Sequence, residues 1–134
     1  MALRLEVFCG EQGVPVALER DEHDATALHL VALDPAGGVV GTCRLLDGGE
    51  EWRLGRMAVA RPARGRGVGR AMLAAAHDQA RARGGRAVVL HAQTHAIPFY
   101  AAAGYVARGP EFMDAGIPHR EMRIELSHGP STCT

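Results

Sequence analysis

The chain of 134 residues has no lysine, and all 15 of its basic side chains are arginine. Schiff-base chemistry and the phosphate-gripping lysine of a P-loop are therefore excluded. Cysteine is scarce: Cys9, Cys43 and Cys133 are odd in number, widely spaced and without a CxxC pair. This argues against a disulfide framework or a zinc site, and no metal is expected. Net charge is also lacking, since 15 acidic residues balance the arginines. No global pull toward nucleic acid or a membrane surface follows. No apolar run reaches the roughly 18 residues that cross a bilayer, and the first residues lack the charged-then-apolar order of a signal peptide. The expected setting is the cytoplasm.

What is present fits one globular domain over residues 1–126, followed by a polar tail over 127–134 that is expected to be disordered. Leu3, Val7 and Phe8, with Leu5 nearby, predict a short amphipathic helix over 2–9. Residues 10–24 read as a loop with at most one helical turn. Strands are expected over 27–33, 39–46 and 51–60, the first two joined as a hairpin by Asp34-Pro35-Ala36-Gly37-Gly38. A helix over 68–83 carries Met72, Leu73 and Ala76 on its inner face, and Gly84-Gly85 ends it. The continuous apolar run 87–91 then reads as a strand parallel to the one before the helix. Thr94 can cap a short helix to Ala103. Two last strands are expected over 105–108 and 120–126, with Gly116-Ile117-Pro118-His119 in the loop between them.

The segment Arg64-Gly65-Arg66-Gly67-Val68-Gly69 separates a strand from a helix. Alternate glycines let backbone N–H groups turn toward an anion, and the helix start adds its own unpaired donors. Arg53, Arg56, Arg61 and Arg70 surround this turn in sequence. It is not a Walker A loop, because no Lys-Ser or Lys-Thr follows, and it is not GxGxxG, because Arg70 holds the last glycine position. Two readings stay open on the residues alone: a phosphate site, or a tight turn.

The segment resembles the pyrophosphate motif Gln/Arg-x-x-Gly-x-Gly/Ala of the GCN5-related N-acetyltransferases. Downstream, Gln93-Thr94-His95-Ala96-Ile97-Pro98-Phe99-Tyr100-Ala101-Ala102-Ala103-Gly104-Tyr105 is similar to that family's Asn-x-x-Ala-x-x-x-Tyr-x-x-x-Gly-Phe pattern, with Gln93 in place of Asn. Glu11-Gln12-Gly13-Val14-Pro15 and Gly116-Ile117-Pro118-His119 resemble the ElaA/YjcF-type branch more narrowly. The resemblance implies an α/β (α+β) fold, with a mixed, mostly antiparallel sheet splayed at its centre and helices on both faces. It implies an acetyl-CoA-dependent N-acetyltransferase that moves the acetyl group directly to an amine, small molecule or peptide, in a ternary complex.

On the same resemblance, the backbone of Met57, Ala58 and Val59 pairs with the pantetheine arm. The pyrophosphate falls to Arg64, Gly65, Arg66, Gly67, Val68, Gly69 and Arg70, and further cofactor contacts to Gln93, Ala96 and Tyr100. Tyr100 stands where the family has the acid that protonates the departing thiolate, a role open to a phenol facing the sulfur. For the general base the sequence offers His119 first and Glu11 second, with His91 also near the splay. The acids Glu19, Asp21, Glu22 and Asp24 either attract a cationic acceptor or form a solvated loop. The alternative function is a non-catalytic acyl-CoA sensor or interaction module.

The family fold normally begins with a strand ahead of the first helix. With a helix predicted at Leu3, that strand is expected to be missing or encoded upstream of Met1. The sheet edge it leaves open makes a homodimer possible.

Overall fold

The computed structural model describes residues 3–7, 16–20, 27–61 and 67–126, the first two stretches as backbone only. Five strands, β1 (Leu3–Val7), β2 (Val16–Arg20), β3 (Ala27–Leu33), β4 (Val39–Leu46) and β5 (Glu51–Val59), follow one another as an antiparallel meander. Helix α1 (Val68–Ala82) then crosses to β6 (Ala87–Gln93), which lies parallel to β5. A 3-10 turn (Thr94–Ala96) and helix α2 (Ile97–Ala102) lead to a hairpin of β7 (Val106–Asp114) and β8 (Ile117–Glu125). Strand β8 inserts beside β6, so the sheet order is 1-2-3-4-5-6-8-7. The mixed, mostly antiparallel sheet of the sequence reading is thus present, with β5–β6 as its parallel pair.

Three local expectations are corrected. Residues 3–7 form an edge strand and not a helix: Leu3, Leu5 and Val7 alternate with Arg4 and Glu6, and that period of two prevails over the Leu3–Val7 spacing of four. The sheet therefore has an N-terminal strand where the helical reading expected none. Val16–Arg20, read as loop, is the strand that pairs with it. Ile117, Pro118 and His119, also read as loop, open β8, because the connection contracts to Ala115-Gly116. Both of these residues have positive φ, 52° and 76°, as a two-residue hairpin of primed type requires.

Helix α1 covers the central strands. Its buried residues include Met72, Leu73, Ala75, Ala76 and Ala80, and these pack with Leu30, Cys43, Leu45, Trp52, Leu54, Val88, Leu90 and Met122. The alanines leave room for the larger strand side chains, and Gly41 permits close approach: a Cβ there would lie 2.9 Å from Met72 Cε and 3.1 Å from Val68 Cγ1.

Strand β5 changes parity halfway. Thr42 pairs with Ala58 but Arg44 pairs with Gly55, so Cys43 alone faces both Arg56 and Met57. This is a β-bulge, and Arg56 carries it at φ 54°, a left-handed conformation costly for a side-chain-bearing residue. Before the bulge Trp52 and Leu54 point into the helix-covered core; after it Met57 and Val59 do. The extra residue thus keeps both halves of the strand anchored on one face while re-aiming the segment between them.

Candidate active site

The parallel pair is short. Its register runs through Glu51–Ala87, Trp52–Val88 and Arg53–Val89, and no pairing continues beyond that point. Strand β6 instead stays on β8 as far as Gln93–His119, while β5 stays on β4. The centre of the sheet therefore opens as a wedge with its closed end at Arg53 and Val89. A cleft of about 710 Å³ occupies the wedge, walled by Gly55 to Val59 on one side and Leu90 to Gln93 on the other.

Met57, Ala58, Val59, Gln93, Ala96, Tyr100 and His119, all singled out from sequence, line this one cleft. The N–H of Ala60 donates to the Val40 carbonyl at 2.8 Å. By the alternation of an antiparallel ladder, the backbone groups of Val59 then face away from β4. Gly67, Val68, Gly69 and Arg70 form the start of α1: Gly67 has φ 80°, no side chain among the described residues caps the helix, and no acid lies in its first turn. A Cβ on Gly69 would lie 3.0 Å from Phe99 Cζ, so this glycine lets α1 and α2 meet. Arg64, Gly65, Arg66 and Glu11 lie outside the described residues, as do the acids at 21, 22 and 24.

Tyr100 reaches across the wedge from α2, and its hydroxyl donates to Met57 Sδ at 3.9 Å. Burial, and then the neighbouring Cys43 thiol, raise its pKa above the ordinary phenol value. The group is therefore protonated at neutral pH. Behind it, the ring of Tyr105 meets that of Tyr100 edge-on at 5.8 Å, and Tyr105 Oη lies 2.6 Å from His77 Nε2. Phe99 also meets the Tyr100 ring edge-on, at 5.0 Å. The aromatic contacts fix the phenol's direction.

His119 is buried, and its Nδ1 lies 2.7 Å from the Ile117 carbonyl oxygen. A carbonyl only accepts, so Nδ1 carries the proton and Nε2 of the neutral ring holds the lone pair. The Phe112 ring stacks on His119 at 5.9 Å and meets His91 edge-on at 4.9 Å. A register shift between Arg108 and Phe112 brings Phe112 opposite His119. His91 also lines the cleft, 3.8 Å from Glu121, whose carboxylate a hydrogen bond from Arg108 holds below its usual range.

The sequence reading missed Arg44 and Asp114, which line the cleft, and grouped Arg53 and Arg56 with the glycine turn. Arg53 instead stands at the closed end of the wedge. The available signal was alternation: Arg44 falls between buried Cys43 and Leu45, and Arg53 between buried Trp52 and Leu54, so both point away from α1.

Residues 2–126 match the family model of an acetyltransferase (GNAT) domain. The chain is 40% identical over 124 residues to the N-acetyltransferase YjcF of Bacillus subtilis (strain 168), itself uncharacterized; the match covers 90% of this chain and 86% of that protein. Among solved structures, an acyl-CoA N-acyltransferase from Pseudomonas aeruginosa superposes with a TM-score of 0.65 and 29% identity, covering 78% of this chain and 76% of the other. Escherichia coli ElaA superposes with a TM-score of 0.65 and 26% identity, covering 78% and 74%.

Proposed function

Since the chain belongs to the GNAT acetyltransferase family, we propose that it transfers the acetyl group of acetyl-CoA to an amine by direct attack in a ternary complex. The observation that carries this reading is the wedge between β5 and β6 with the Tyr100 hydroxyl over it. An opened strand pair suits an extended amide-bearing arm, which can bind as an added strand. Backbone groups of Met57 to Val59 hold that arm, and the uncapped start of α1 at Gly67 to Gly69, together with Arg70, receives the pyrophosphate. Arg64, Gly65 and Arg66 belong to the same cradle by motif.

Acetyl-CoA supplies an activated acetyl group as a thioester. The amine nitrogen bonds to the carbonyl carbon, the carbon–sulfur bond breaks, and the amide and a free thiol leave. A backbone N–H near Met57 to Val59 polarises the carbonyl oxygen. His119 Nε2 takes the proton that the attacking ammonium must lose, Tyr100 gives its proton to the departing sulfur, and the second proton released by the nitrogen as the amide forms restores the phenol. Glu11 is the second candidate for the base. Gln93, at the end of β6, supports the bound arm or the acceptor through its amide.

The test is to mix the protein with acetyl-CoA and a panel of amines and follow free thiol. Turnover with at least one amine is expected. No turnover together with no acetyl-CoA binding by calorimetry defeats the proposal, and binding without turnover favours a sensor module. Tyr100→Phe is expected to lower kcat by about 10²-fold while acetyl-CoA affinity holds; an unchanged kcat removes the acid role.

A further inference from the structure

Resting on the acetyltransferase reading, we infer that the acceptor is an amine that also carries a carboxylate, which Arg44 and Arg53 clamp at the closed end of the wedge. Both side chains lie on the sheet face opposite α1, since their neighbours along each strand are buried beneath that helix. Arg44 pairs with Gly55 and Arg53 with Leu46, so the two arginines are diagonal neighbours across β4 and β5. Gly55 leaves the space between them unfilled, for a Cβ there would touch nothing within 4 Å.

Neither guanidinium is ion-paired among the described residues. Arg44 Nε is buried with no hydrogen-bond partner there, a state that is costly unless a ligand supplies an acceptor. Arg53 acts on Glu121 from a distance, but that carboxylate already accepts from Arg108 Nε at 2.5 Å. Asp114 is the one acid among the described residues that line the cleft, against Arg44, Arg53 and Arg56. Such a lining repels polyamines and suits a carboxylate, whose two oxygens match the guanidinium fork. The arginines are not placed for cofactor phosphates, because α1 begins beyond the far end of β5, at the wedge's open side. With the carboxylate at Arg44 and Arg53, the rest of a short acceptor extends along the gap over Gly55 toward Tyr100 and His119.

The test compares initial rates of thiol release for β-alanine, L-leucine and L-glutamate with those for their amides and for spermidine. A kcat/KM at least about tenfold higher for the carboxylates is expected. Arg53→Gln and Arg44→Gln should each narrow that preference about tenfold, chiefly through KM, with acetyl-CoA affinity retained as the sign of a folded protein. Equal or faster turnover of the amides or spermidine overturns the clamp and leaves the acetyltransferase reading standing. If no amine turns over, the same pairs titrated calorimetrically into CoA-saturated protein decide. Carboxylate binding that Arg53→Gln abolishes supports the clamp although the transferase reading has failed, and absence of any carboxylate binding overturns it.

Discussion

His77 is a base that the fold keeps from being charged. Burial, and then Arg81, lower its pKa from 6.5 to about 4, and its ring nitrogen lies against the Tyr105 hydroxyl that backs the Tyr100 ring. Between those two values the unfolded chain holds a proton that the folded chain refuses. Stability should therefore be full above pH 6.5 and fall as the pH drops toward 4, by about 2 kcal/mol between pH 7 and pH 5 from this residue. Urea unfolding at the two pH values checks it: His77→Gln should flatten that dependence, and an equally steep loss in the variant shows that other groups cause it. At the cleft itself, His119→Gln should lower kcat/KM about 10²-fold at neutral pH. Raising the pH should recover part of that loss, because more of the amine then arrives already deprotonated.

Among the elements, α1 holds its register on the sheet through Gly41. Gly41→Val would drive new methyl groups into Val68 and Met72, lifting the start of the helix. Chemical denaturation should show a loss of about 1–3 kcal/mol, with a raised KM for acetyl-CoA measured on the folded fraction. The alanine periodicity of α1 and the apolar runs of β3, β4 and β6 were legible because turn residues, Asp34-Pro35, Gly48-Gly49 and Gly84-Gly85, mark their ends. The first strand was not, since Leu3-Arg4-Leu5-Glu6-Val7 fits a period of two and a spacing of four at once. The β7–β8 hairpin was underestimated because Ala115-Gly116 lacks the Asn or Asp that announces a primed turn. Tyr100, Gln93 and Met57 could be named by motif register. Arg44 had its face announced by alternation, but its meeting with Arg53 across Gly55 needed the register of two paired strands.

At the scale of the whole molecule, the cleft lies in the interior of the sheet, between two antiparallel systems. Cofactor bound in the wedge would bridge β5 and β6 where they no longer bridge each other. A ligand that binds only the folded state adds about 2.7 kcal/mol at a hundred times its Kd. CoA at that excess should raise Tm by roughly 10 °C, readable by calorimetry; a shift that shrinks in an Arg70→Gln variant of retained basal Tm ties it to the helix start. The β5–β6 seam is only three residue pairs long. Strands β1 to β5 with α1 lie entirely before Gly84-Gly85, and β6 to β8 with α2 entirely after it. A chain severed in that turn yields two fragments, each keeping its own antiparallel ladder and exposing half of the shared core. Neither fragment holds both walls of the cleft, so thiol release is silent in each alone and becomes the reporter of their complementation.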